Sequence, residues 1–168
     1  YINSWENYKN IIDILKMKLK NKEKIKVGFV FISNVTANLF WKYLYKEFKK
    51  DSRFEPYMIV APYNYLSKEY LISTTTAMLE LLKKEKFNVI SGWDFKKGEN
   101  IDIKEYFKDS IMFFMDPYSH LTSENFLIKT FKDNCLTYYV PYSYCIVNVG
   151  NSTQMDAQNY AYKIYPDT

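Results

Sequence analysis

The amino-acid sequence predicts a three-layer α/β fold: a doubly wound, mostly parallel sheet of about five strands with helices packed on it. Two observations carry this. Short apolar runs rich in β-branched and aromatic residues recur along the chain, and stretches with apolar residues at helical spacing separate them. Runs of the first kind mark strands buried on both faces. Strands that alternate with helices call for a parallel sheet with right-handed crossovers. With 168 residues, 48% hydrophobic and 25% charged, the chain has the size and composition of one globular domain with a real core.

The elements follow in order. Ser4 can cap a first helix whose Trp5, Tyr8, Ile12, Leu15 and Leu19 fall at helical spacing, giving an N-terminal amphipathic helix within 1–24 and the α/β domain over 25–168. Ile25 to Ile32 (IKVGFVFI) reads as the first strand. A helix over Ala37 to Lys49 turns Phe40, Trp41, Leu44, Tyr45 and Phe48 inward. Phe54 to Ala61 (FEPYMIVA) is the second strand, stopped by Pro62. A third helix runs from Lys68 to Lys84, with Leu71, Met78, Leu79 and Leu82 as its apolar side. Phe87 to Ile90 makes a third strand that Gly92 breaks. Asp102 to Phe107 reads as one or two helical turns, Ser110 to Met115 as a strand ending at Asp116-Pro117, and Ser123 to Phe131 as a helix capped by Ser123. Leu136 to Val140 is the fifth strand, closed by Pro141. Beyond it, Cys145 to Val149 reads as extended and Asp156 to Tyr165 as helical.

Composition narrows the partners. The net charge of +4 is mild, and Arg53 is the only arginine among 23 basic residues. The 17 Tyr, 12 Phe and many Lys, Asn and Ile are what A/T-rich codons supply, which discounts them as binding signals. The lysines of Lys16–Lys26 interleave with Glu23 and read as a solvated face, with no arginine fork for bases or phosphates; no nucleic-acid partner is expected. No run approaches the roughly 18 apolar residues of a membrane span, and no charged-then-apolar leader opens the chain. Cys135 and Cys145 match no metal spacing, so reduced, packed cysteines in a cytoplasmic protein are expected. Neither a metal nor a cofactor is expected. The start at Tyr1 and the stop at Thr168 read as a piece of a longer protein.

In a doubly wound sheet, ligands bind beyond the carboxyl ends of the strands. This singles out three loops: Ser33 to Thr36, Asp116 to His120, and Pro141 to Tyr144. Gly28 lies inside the first strand and no G-x-G-x-x-G follows, so NAD or FAD held in the usual way is not expected. Ser33 and Asn34 can hold an anion at a helix N-terminus or simply cap the helix. His120, the only histidine, is the weak candidate for general acid/base work, with Asp116 four residues upstream. Tyr118, Tyr142 and Tyr144 bring aromatic faces and hydroxyls to the same edge, as a sugar or glycerol-phosphate pocket needs. Half-buried tyrosines with wet hydroxyls account for them equally well. No G-x-S-x-G elbow is present, and no acidic pair follows the first strand as in a receiver domain.

Four segments, taken together, resemble the amino-terminal half of CDP-glycerol:glycerophosphate glycerophosphotransferase-like proteins, some of them putative glycosyltransferases in name. Lys26 to Phe31 (KVGFVF) looks like the first strand of that half. Trp41 with Leu44-Tyr45-Lys46-Glu47-Phe48, then Asp51-Ser52-Arg53-Phe54-Glu55-Pro56, is similar to its tryptophan-bearing helix and "D-x-R-F-E-P" lead into strand two. Ser110 to Tyr118 (SIMFFMDPY) and Leu136 to Tyr144 (LTYYVPYSY) are similar to its "D-I-V-F-x-x-x-P-Y" and "L-x-Y-x-P-Y-x-Y/F". The resemblance spans about Lys26 to Tyr144 and implies a Rossmann-like, GT-B N-terminal-type domain. It implies that this domain contacts the acceptor in cell-surface polysaccharide or teichoic-acid-type polymer synthesis in a bacterium. The partners implied are a C-terminal donor-binding domain of the same protein, a nucleotide-activated glycerol or sugar donor, and a polymer acceptor. The parent would work in the cytoplasm or peripherally at the membrane. Better-known members carry a His-Gly pair where this chain has Pro141-Tyr142, so the family's base is not inherited here and the isolated chain is expected to be inactive. A non-catalytic Rossmann-like binding or scaffolding module is the alternative.

Overall fold

The computed structural model describes residues 2–33, 41–64, 66–115 and 120–139. Its centre is a five-stranded sheet of β1 (Ile25–Ile32), β2 (Phe54–Ala61), β3 (Val89–Ser91), β6 (Ile111–Phe114) and β7 (Leu136–Tyr139), in the order β3-β2-β1-β6-β7. Every neighbouring pair is parallel. With its helices this is a Rossmann-like three-layer α/β fold. Two further strands, β4 (Trp93–Asp94) and β5 (Glu99–Asn100), form a separate antiparallel hairpin.

Alternation along β1 builds the two cores. Val27, Phe29 and Phe31 face one side, where α2 (Lys42–Lys50) and α3 (Lys68–Lys84) cover them with Trp41, Tyr45, Met78, Leu79 and Leu82. Phe29 is the hub. Its ring lies 5.1–6.1 Å from those of Trp41, Tyr45, Phe48 and Phe113. On the same side, α1 (Ile2–Lys20) sets Ile11 and Leu15 against Ile25 and Leu136. The opposite face carries Val30, Ile59, Met112 and Phe114 under Ile103, Phe107, Phe126 and Phe131. Gly28 sits where the Met112 thioether packs against β1; a β-carbon there would come within 2.5 Å of its sulfur.

β1, β2 and α3 occupy the bounds that periodicity sets. Other elements differ for local reasons. α1 already runs from Ile2, so Ser4 lies inside it rather than at its cap, and Trp5 is 58% exposed because Ile11 and Leu15, with Tyr8, Ile12 and Leu19 partly buried beside them, form the contact with the sheet. The described part of α2 starts at Lys42 with Trp41 as its N-cap residue, while 34–40 lie outside the described residues. β3 begins two residues after Phe87, because the Phe87 N–H closes the end of α3 on the Leu82 carbonyl and its ring packs edge-on against Tyr45 at 4.7 Å. Asp102 to Phe107 folds as hydrogen-bonded turns, not helix, with the Asp102 carboxylate accepting from Lys104 N–H. The expected single helix over Ser123 to Phe131 is two pieces, a 3-10 turn Glu124–Phe126 capped by Ser123 and α4 (Ile128–Phe131). Leu127 between them is extended. That break lets Phe126, Ile128 and Phe131 all bury in one core; in a continuous helix, residues two apart point to nearly opposite sides. Val140 at the end of the fifth strand, the extended stretch expected at 145–149 and the helix expected at 156–165 lie outside the described residues.

No helix among the described residues is long and apolar enough to cross a membrane.

Candidate functional site

The strand order fixes where a ligand can reach the sheet. β2 and β3 are added on one side of β1, β6 and β7 on the other, so chain direction across the sheet reverses between β1 and β6. At such a switch point the loops leaving neighbouring strands diverge and open a crevice at the carboxyl edge. Val30 pairs with Phe114 and Phe114 with Tyr139, so the exits of β1, β6 and β7 stand side by side. Those exits feed the three loops singled out above.

Of the candidate residues, Ser33 and His120 are described. Asn34, Asp116, Tyr118, Tyr142 and Tyr144 lie outside the described residues. Ser33 ends β1 and is 3% exposed. Its hydroxyl oxygen accepts from Tyr63 N–H and from the Thr75 hydroxyl, each at 3.3 Å, and lies 3.3 Å from Thr74 Oγ1. Ser33 N–H donates to the Ala61 carbonyl at 2.9 Å. The side chain thereby fastens α3 and the exit of β2 to the end of β1. Its hydroxyl is committed to the protein's own bonds, and what it contributes to the edge is the position of the chain that follows. The four hydroxyl residues Ser73-Thr74-Thr75-Thr76 within α3 were the sequence signal for this cluster, since such a run is unfavourable in a helix without partners.

His120 is exposed at the start of the segment that returns from the loop after β6. That segment is anchored at once. The Leu121 carbonyl accepts from Asn64 N–H, and the Thr122 hydroxyl donates to the Pro62 carbonyl, both at 2.9 Å. β2 and β6 flank β1, so these bonds carry the segment across the carboxyl end of β1 and set His120 at the rim of the switch point. On β7, Tyr138 stacks on Phe113 at 5.2 Å while remaining 37% exposed, and partial desolvation by that packing pushes its phenol pKa up.

The opposite, amino-terminal edge holds a shallow groove of about 200 Å³ lined by Leu44, Glu47, Phe48, Asp51 and Phe54. Beside it the Asp51 carboxylate takes the Arg53 guanidinium through Nη2 at 2.6 Å and Nε at 3.0 Å. The "D-x-R" of the second segment is therefore a clasp that turns the chain into β2. Among the described residues, no three His, Cys, Asp or Glu side chains converge as metal ligands. Cys135 is a free, buried thiol that donates to the Phe107 carbonyl, and burial raises its pKa.

Fold and strand order define a doubly wound α/β protein in which the exits of β1, β6 and β7 stand together at the carboxyl edge of the sheet. In comparisons with known proteins the chain matches no family model, no curated protein and no solved structure.

Proposed function

We propose that this chain is the acceptor-side domain of a two-domain transferase of the CDP-glycerol glycerophosphotransferase or glycosyltransferase type, which uses a nucleotide-activated donor held by a second domain. The reading is carried by the reversal of strand order between β1 and β6. A reversal of this kind opens a crevice at the carboxyl edge, which receives the loops after β1, β6 and β7, and these hold Ser33, Tyr118, His120, Tyr142 and Tyr144. The resemblance of four ordered segments supplies the chemistry. His120 and the tyrosines of those loops orient an acceptor hydroxyl and phosphate, a positioning role that lowers the barrier without any one of them being the base.

The test is turnover of CDP-glycerol and of nucleotide sugars, measured on this chain and on the chain joined to its donor-binding half. Transfer by the joined protein alone is expected, reduced in His120→Ala and Tyr142→Phe with unchanged melting. Absence of binding and transfer in both forms would sink the reading. The committed Ser33 hydroxyl favours the second one, a non-catalytic binding or scaffolding module, in which the same edge holds a ligand without transforming it.

A further inference from the structure

The six lysines between 16 and 26 read, along the sequence, as a solvated face. The fold gives them company. All five strands are parallel, so every helix that leads into a strand ends at the amino-terminal edge of the sheet. α1, α2 and α3 all pack on the face that carries Ile25, Val27 and Phe29, so their carboxyl ends lie in one layer along that edge. Counting from the last five helical residues to the second residue of the next strand, the segments 16–26, 46–55 and 80–90 hold thirteen basic and six acidic side chains. The rest of the sequence holds ten basic and thirteen acidic ones, so in a chain of net +4 these three segments carry +7 and all other residues together −3. β1 and β3 are only two strand spacings apart, about 10 Å. That is close to the screening length in physiological salt, so these charges act as one field.

The lysines are available. Lys20, Lys22 and Lys24 before β1, and Lys83, Lys84 and Lys86 before β3, are exposed and enter no ion pair among the described residues. Two of them occupy positions that the backbone does not favour for lysine. After α1, Glu23 N–H bonds Lys18 O and Lys22 N–H bonds Leu19 O, with Lys22 at φ 60°. After α3, Phe87 N–H bonds Leu82 O and Lys86 N–H bonds Lys83 O, with Lys86 at φ 63°. Both are Schellman motifs, whose left-handed residue is usually glycine because a β-carbon is disfavoured there. The helix dipoles already have Lys18 and Lys20, and Lys83 and Lys84, in their last turns. The two capping lysines add positive charge beyond the helix ends, at a conformational cost.

We propose that this amino-terminal edge is an electrostatic docking surface for an anionic lipid bilayer. The exposed lysines are spread over the entries to β1 and β3 and do not converge on one point, and the one arginine, Arg53, is clasped by Asp51. Charge spread in this way suits a diffuse negative surface better than a single phosphate or base. Met17, 58% exposed between Lys16 and Lys18, adds an apolar side chain that can enter the interface while the lysine stems spread on it. Docking through this edge points the carboxyl edge, with His120, away from the bilayer toward the aqueous phase. The surface is independent of the transferase reading and stands or falls by its own measurement.

The experiment is co-sedimentation of the whole 168-residue chain with vesicles of phosphatidylcholine alone and of phosphatidylcholine mixed with phosphatidylglycerol, at low and high salt. Binding is expected only to the mixed vesicles and is expected to fall as salt rises. The triple variant K20Q/K22G/K24Q should bind about a hundredfold more weakly, at about fivefold for each charge removed. The variant K68Q/K96Q/K97Q, equal in charge but altered at the carboxyl edge, should bind like the unchanged chain. Circular dichroism and melting of both variants establish that they are folded. Equal binding to neutral vesicles, equal loss in both variants, no binding to anionic vesicles, or preference for DNA over the vesicles would each overturn the proposal.

Discussion

Around β1, β2 and β3 the two edges of the sheet are built on opposite plans. At the carboxyl edge the chain is held by buried groups: Ser33 with Thr74 and Thr75 at the end of β1, Trp41 where α2 begins, and Gly92 beyond β3. At the amino-terminal edge of these strands it is turned by main-chain caps with exposed lysines and by the solvated Asp51–Arg53 clasp, while the buried Ser110 and Cys135, both bonded to the Phe107 carbonyl, lie further along, at the entries to β6 and β7. Long connections leave the first edge and short ones enter the second. A doubly wound fold that uses one edge for ligands must fix the origins of the long connections, and buried bonds at the strand exits do that. The other edge needs only to reverse the chain. It is free to take a composition suited to what it faces. Substitutions should therefore cost more at the carboxyl edge than at the amino-terminal one.

The largest expected effect is at Trp41. It is 4% exposed and packs on Phe29 at 5.9 Å and Phe113 at 5.7 Å. Trp41→Ala should lower stability by about 3–5 kcal/mol, read as a fall in melting temperature. An unchanged melting temperature would place the ring on the surface and break the contrast between the edges.

Ser33 and Gly92 come next. Ser33→Ala leaves the Tyr63 N–H and the buried Thr75 hydroxyl without their shared acceptor, a loss of about 1–3 kcal/mol. At Gly92 a β-carbon would meet the Phe126 ring at 2.6 Å and the Val60 carbonyl at 2.7 Å. Backbone on one side and a core ring on the other cannot both move aside, so Gly92→Ala should cost about 1–3 kcal/mol. Urea unfolding of the two single variants checks both. If both come out neutral, the edge is not fastened as described.

Lys22→Gly and Lys86→Gly should be close to neutral. Relief of the left-handed backbone is worth up to about 1 kcal/mol, and loss of a cation beside the helix end costs about 0.3–1 kcal/mol. The same urea experiment should show a net change within about 0.5 kcal/mol for each, from the balance of those two terms. A loss comparable to that of Ser33→Ala would show that these lysines hold the fold and would erase the difference between the edges.

Much of this architecture was legible because burial on both faces leaves an unmistakable run, as in Ile25–Ile32 and Phe54–Ala61. The hairpin was not, since Trp93–Asp94 and Glu99–Asn100 are two-residue strands with no alternation to read. The break at Leu127 was hidden for another reason. Phe126, Ile128 and Phe131 satisfy a helical pattern loosely, and only the core opposite decides that all three must point one way. At the candidate site, the three loops follow from the strand exits. The commitment of the Ser33 hydroxyl does not, because it depends on α3 being laid alongside β1 by residues more than forty positions away. In the same way, Lys16–Lys26 as a local string is unremarkable, and it becomes a field when parallel topology brings the ends of α2 and α3 to the same edge.

The smallest effect expected is at Asp51. The Arg53 side chain, with its hydrogen bonds and its charge, holds the Asp51 carboxyl down at about 2. A carboxyl lowered in the folded state contributes stability above its unfolded pKa, about 3.9, and loses it as pH falls through the folded value. The window is therefore acidic, from about 4 down to about 2, and nothing is expected from this group near neutrality. Arg53 is 63% exposed, and water and salt screen a pair so open. Asp51→Asn should accordingly leave melting near neutral pH within the spread of surface substitutions. A carboxyl titration followed by NMR should give a midpoint near 2 in the native chain and should move upward in Arg53→Gln. If the midpoint is ordinary, Asp51 and Arg53 do not clasp in solution. If Asp51→Asn instead melts as early as Ser33→Ala, a group at the amino-terminal edge is as deeply committed as one at the carboxyl edge, and the division of labour between them fails.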